Sequence, residues 1–125
     1  MKILVVDDST LERKLLIALL KKSGVQSEIL QAENGEAALE MLGQNYKDIC
    51  LILLDWQMPI MSGLEFMEGV VKVPAVANIP IIMVTASGSD ESRKQAKEIN
   101  PNLAGYVVKP YKAEVLLDTI KPYVK

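Results

Sequence analysis

Residues Ile49 to Leu54 form an unbroken apolar run that stops at a carboxylate, Asp55, with Pro59 shortly beyond it. A run so short and so apolar reads as a strand buried on both faces of a sheet, which is the habit of central parallel strands. The proline stops the strand, so Asp55 is expected at the carboxyl edge of the sheet, with Trp56, Gln57 and Met58 in the loop above it. That edge is where open α/β sheets bind ligands. Cys50 sits inside the run and is the only cysteine, so it is expected to be a core side chain in a reducing, cytoplasmic protein, with no disulfide framework.

The same pattern recurs along the chain. Ile3 to Val6 is a second apolar run and ends in Asp7 and Asp8. Ser9 and Glu12 have the spacing of a capping box, and Leu11, Leu15 and Leu19 with Leu16 and Leu20 supply an apolar stripe for a helix that Gly24 terminates. Residues 27–32 predict a weaker strand near an edge, and Asn34-Gly35 leads into a helix carrying Ala37, Ala38, Met41 and Leu42. After Asp55 a helix with Leu64, Phe66, Met67, Val70 and Val71 follows Ser62-Gly63. Residues 79–84 form another buried strand, with Pro80 at its tolerated start, and lead into Thr85, Ala86 and Ser87.

The helix over 90–98 is highly polar, with only Ala96 and Ile99 to anchor it, and is expected to be mobile. Residues 105–108 give a last short strand ending at Lys109-Pro110, and 112–120 a closing helix with Val115, Leu116 and Ile120 that Pro122 ends or kinks. Five strand-helix alternations with short connections predict one α/β domain over residues 1–125, a doubly wound parallel sheet with helices on both faces.

Strand ends thus bring Asp7, Asp8, Asp55, Thr85 and Lys109 to one edge. Singly, each has an ordinary explanation. Acids at Asp7 and Asp8 favour a helix N-terminus by roughly 0.3–1 kcal/mol each, Thr85 suits a strand, and Lys109 reads as a solvated strand-end lysine and Tyr106 as an ordinary half-buried aromatic. Trp56 fits either packing or a partner contact. Their convergence points to a site. Clustered carboxylates repel unless a cation intervenes, and hard oxygen ligands at a half-open edge suit Mg²⁺. A lysine and a hydroxyl opposite them would hold phosphoryl oxygens, leaving Asp55 as the nucleophile. The chain has no histidine, which excludes Ser-His-Asp and Cys-His catalysis, His-ligated zinc and a phosphohistidine carrier role. A net charge of -2 without a basic patch argues against nucleic-acid binding, and no apolar stretch is long enough for a signal peptide or membrane span.

VVDDS at 5–9, LLDWQMP at 53–59, VTAS at 84–87 and YVVKP at 106–110 resemble, in order and on the matching elements, the receiver domain of two-component response regulators. The resemblance covers essentially the whole chain and is nearest to single-domain, chemotaxis-type members without an output domain. It implies a flavodoxin-like, three-layer fold with strand order 2-1-3-4-5 and five helices. It further implies that Asp55 accepts a phosphoryl group from a phosphohistidine on a sensor histidine kinase or phosphotransfer protein. Asp8, Asp55 and the backbone carbonyl of Gln57 would ligate Mg²⁺, and Asp7 would act through metal-bound water. Lys109 would hold a phosphoryl oxygen, with the Lys109-Pro110 bond commonly cis. Thr85 and Tyr106 would form the switch that reshapes the face made by the fourth helix, fifth strand and fifth helix.

Gln57 and Ser87 stand where the family tunes phosphoryl lifetime, and the longer Gln57 is expected to shield the aspartyl phosphate from water. Residues 100–103 depart from the usual Ala-Gly helix ending, which points to a locally altered signalling face. The expected protein is monomeric, catalyses only its own phosphorylation and dephosphorylation, and works through a downstream protein such as a flagellar motor switch or another effector. The alternatives are a receiver cut from a larger regulator, a haloacid-dehalogenase-like Mg²⁺ phosphatase and a flavodoxin-like FMN protein. The phosphatase would need a DxD arrangement after the first strand and a cap domain. The flavin protein would need a phosphate cradle where Asp7 and Asp8 stand.

Overall fold

Alternating side chains along each strand divide the core into two layers. The computed structural model describes residues 1–124 and contains β1 (Lys2–Val6), α1 (Thr10–Lys22), β2 (Glu28–Ala32), α2 (Gly35–Asn45) and β3 (Ile49–Leu54). These are followed by α3 (Gly63–Val71), β4 (Ile81–Thr85), α4 (Asp90–Ile99), β5 (Gly105–Val108), α5 (Ala113–Ile120) and a 3-10 turn at Lys121–Tyr123. The strands form one parallel sheet in the order β2-β1-β3-β4-β5, as the resemblance implies. Leu4, Val6, Ile52, Leu54, Ile81 and Met83 face Ala38, Leu42, Phe66, Met67, Val70 and Ala96 of α2, α3 and α4. Their neighbours Ile3, Val5, Leu51, Leu53, Ile82 and Val84 face Leu16, Leu20, Leu116 and Ile120 of α1 and α5. Each fully buried leucine, isoleucine or phenylalanine stabilises the fold by about 1.5–3 kcal/mol, so the three central strands, apolar on both faces, are the rigid part of the molecule.

Several expectations about packing are corrected. Leu11 and Leu15 are exposed, at 66% and 61%, and the buried residues of α1 are Arg13, Leu16 and Leu20. The buried face of the helix is centred nearer Arg13 than the predicted stripe, and the Arg13 guanidinium finds polar partners at the sheet edge there. Cys50 is only half-buried, the one such position in β3, and Val115 of α5 is exposed. The fourth strand starts at Ile81, beyond Pro80, whose carbonyl accepts a bond from the Ile52 N–H at 2.9 Å. Gly24 follows α1 with φ +88°, the left-handed conformation that glycine tolerates. In α4 only Ala96 is buried. Among the described residues no helix is long and apolar enough to cross a membrane.

Candidate functional site

Sheet register brings the reactive groups together. The Asp55 N–H donates to the Val6 carbonyl at 2.9 Å and the Asp7 N–H to the Ala32 carbonyl at 3.1 Å, so both residues extend the ladder at its carboxyl edge. The Lys109 N–H donates to the Thr85 carbonyl at 2.8 Å, and the Lys109-Pro110 peptide bond that follows is cis. Asp7 is buried and Asp8 exposed, and together with Asp55 they offer carboxylate oxygens that all lie within 4.8 Å of one another. Lys109 Nζ lies 2.6 Å from Asp7 Oδ2, 2.9 Å from Glu12 Oε2 and 3.4 Å from Asp55 Oδ2.

Burial pushes the Asp55 carboxyl above its ordinary value. The Lys109 charge, the Trp56 N–H at 2.7 Å and the Thr85 hydroxyl pull it down without compensating, and the Asp7 charge adds to the rise. Burial disfavours the Lys109 ammonium too, but its bonds to Asp7 and Glu12 and the charge of Asp55 outweigh that, and its pKa is raised. A half-buried ammonium serving several carboxylates stays charged.

Asp8, Asp55, Gln57, Thr85, Ser87 and Lys109 line an open cavity of about 580 Å³ at this edge. Gln57 is exposed at its rim. Thr85 is buried, and its hydroxyl accepts the Ser87 N–H at 3.3 Å. The Tyr106 hydroxyl donates to the Ser87 carbonyl, with the Arg93 guanidinium 5.1 Å from the ring centroid. Burial raises the Tyr106 pKa, Arg93 opposing and Asp55 reinforcing the shift. All the residues singled out in the sequence therefore meet at one edge or on the strand leading from it.

Two residues that the sequence does not mark as site residues, Glu12 reading there only as a capping partner of Ser9, also reach the site. Arg13 donates to the Asp7 main-chain carbonyl, to Gln31 Oε1 at 3.2 Å and to Thr10 Oγ1 at 3.3 Å, tying α1 to the ends of β1 and β2. Glu12 reaches Lys109 across 97 positions of sequence. A Ser-x-x-Glu pattern reads as a capping box whether or not its glutamate has a distant partner, so no local signal marked Glu12.

The loop between β3 and α3 forms the remaining wall. The Gly63 N–H donates to the Trp56 carbonyl at 2.8 Å, and the Gly35 N–H to the Met61 carbonyl at 3.0 Å. Ile60 takes φ +69°, a left-handed conformation costly for a β-branched residue, although its side chain is 74% exposed. Ile60→Asn is expected to raise the unfolding free energy by about 1 kcal/mol, because asparagine tolerates this conformation. Urea denaturation of the two proteins checks it.

The family model for the response regulator receiver domain matches residues 3–121. The chain belongs to that family. This receiver is thus a phosphoacceptor signalling module and not a turnover enzyme. It is 36% identical over 121 residues to a chemotaxis protein CheY homolog of Campylobacter jejuni, a match spanning 97% of this chain and 90% of the relative. Among solved structures, chemotaxis protein CheY4 of Vibrio cholerae superposes with a TM-score of 0.84 at 31% identity, covering 98% of the receiver and 97% of that chain. A CheX-CheY-BeF3-Mg complex from Borrelia burgdorferi superposes with a TM-score of 0.87 at 25% identity, covering 100% of the receiver and 90% of that chain. The receiver's own donor set, three clustered hard carboxylates at a half-open edge, fits a small divalent cation.

Proposed function

We propose that Asp55 is the phosphoacceptor of a two-component relay, receiving its phosphoryl group from a phosphohistidine of a sensor kinase or phosphotransfer protein. The observation that carries this reading is the position of Asp55, backed by the buried strand β3, facing an open cavity within 3.4 Å of the Lys109 ammonium and beside two further carboxylates. An Asp55 oxygen attacks phosphorus, the O–P bond forms as the P–N bond breaks, and the donor imidazole leaves with the bonding pair. Asp8, Asp55 and the main-chain carbonyl of Gln57 would hold Mg²⁺, with Asp7 assisting through water; the ion supplies neutralisation of charge on the transferring group. Lys109 and the Thr85 hydroxyl bind phosphoryl oxygens. Gln57 and Ser87, at the cavity rim, set how readily water reaches the product.

The new charge is read out through packing. Thr85 and Ser87 are joined by a hydrogen bond, and Ser87 holds the Tyr106 hydroxyl, so movement of Thr85 toward a phosphoryl group disturbs Tyr106 and its stack with Arg93. The α4–β5–α5 face is the output surface, and α4, anchored through Ala96, is the element that yields. The chemotaxis relatives and the complex of one of them with CheX support an output of that type by protein binding. Intact mass after incubation with Mg²⁺ and acetyl phosphate tests the proposal. A single phosphoryl adduct is expected, and its absence overturns the assignment.

A further inference from the structure

The chain contains the same Ser-x-x-Glu helix start twice, and the two copies do different things. At α3 the box is closed: the Glu65 N–H donates to Ser62 Oγ at 3.2 Å and the Ser62 N–H to Glu65 Oε1 at 3.1 Å. At α1 only half of it forms. The Glu12 N–H donates to Ser9 Oγ at 3.2 Å, but the Ser9 N–H is taken by Asp7 Oδ1 at 2.9 Å. The Glu12 carboxylate, released from the capping role, instead accepts from Lys109 at 2.9 Å. That contact is second to the 2.6 Å from Lys109 to Asp7 and shorter than the 3.4 Å to Asp55, and Glu12 also lines the cavity in which Asp55 stands.

We propose that Glu12 is a rate-setting positioning residue that holds the Lys109 ammonium toward α1 and so restrains phosphorylation of Asp55. The inference rests on the phosphoacceptor reading of Asp55. A phosphoryl group arriving at Asp55 recruits Lys109, and Lys109 must give up part of its bond to Glu12 to answer. The side chain of Glu12 is 46% exposed against 14% for Lys109, so the ion pair is open to solvent on one side and yields to screening by salt. It is a restraint that a donor can displace.

Glu12→Gln and Glu12→Asp separate the restraint from charge alone. Glutamine removes the charge, and aspartate keeps it on a stem one methylene shorter that draws back from Lys109. The initial rate of adduct formation with acetyl phosphate at saturating Mg²⁺, followed by intact mass, is expected to rise about two- to fivefold in both, the rate equivalent of a partly exposed ion pair. The gain should shrink as ionic strength is raised, which a purely structural role of Glu12 would not produce. Variants no faster than the parent overturn the proposal, as does a salt-independent gain. A faster glutamine variant beside an unchanged aspartate variant also overturns it, since the effect would then be one of charge near the cavity. A parent that takes up no phosphate removes the phosphoacceptor reading itself, a separate failure seen before any variant is compared.

Discussion

Asp55→Asn is expected to abolish the phosphoryl adduct formed with acetyl phosphate and Mg²⁺ while making the folded protein more stable at neutral pH. The two effects have one origin. Burial and the neighbouring Asp7 charge make ionised Asp55 costly in the folded chain, and Lys109, Trp56 and Thr85 recover only part of that cost. Because the folded pKa lies above the ordinary 3.8, the cost is fully present above the folded value and disappears as pH falls below the unfolded one. Asparagine keeps the shape and removes the charge, so its urea midpoint should exceed the parent's at pH 7. The difference should narrow as pH is lowered through the raised pKa toward 3.8. An adduct that survives the substitution would move the phosphoacceptor elsewhere. A midpoint below the parent's would mean that Lys109, at 3.4 Å, stabilises the Asp55 carboxylate more than burial and Asp7 oppose it.

The strands were legible because burial on both faces leaves an unbroken apolar run. Ile3–Val6 and Ile49–Leu54 are buried nearly throughout, and each ends where a charged side chain reaches the open edge. The site was legible for the same reason, since parallel strands with helical returns all end on one side and a list of strand ends is already a list of neighbours. Helix faces were less readable. In α1 the leucines at 11, 15, 16, 19 and 20 occupy more of the circumference than the sheet can cover, so pattern alone did not separate buried Leu16 and Leu20 from exposed Leu11 and Leu15. Arg13, the third buried residue of that helix, broke the pattern because its burial depends on partners at Asp7, Gln31 and Thr10 that only the folded chain supplies. Glu12 was hidden for a related reason: the Ser9 N–H goes to Asp7 Oδ1 and not to Glu12, and nothing local shows that Asp7 takes it.

Gly63→Ala is expected to be the most damaging single-methyl change near the site. A Cβ at Gly63 would run into the Asp55 carbonyl oxygen and come within 3.0 Å of the Asp55 carbonyl carbon and 3.1 Å of Trp56 Cα. These are main-chain atoms, held by the Gly63 to Trp56 hydrogen bond at 2.8 Å and by the pairing of Asp55 with Val6 at 2.9 Å, so no side chain can turn aside. Overpacking of this kind costs about 3 kcal/mol, and here relief can come only by moving the backbone that carries Asp55. Both stability and phosphorylation should therefore fall, the second by more than the unfolded fraction accounts for. Urea denaturation with intact-mass phosphorylation, performed where the variant remains folded, separates the two. Gly69, where an added Cβ would meet nothing within 4 Å, is the control: Gly69→Ala, inside the same helix, should gain helix propensity of about 1 kcal/mol and leave phosphorylation unchanged. A Gly63→Ala protein as stable and as active as the parent would show that the turn after Asp55 is softer than its hydrogen bonds imply, and that the rigidity of Asp55 comes from β3 alone.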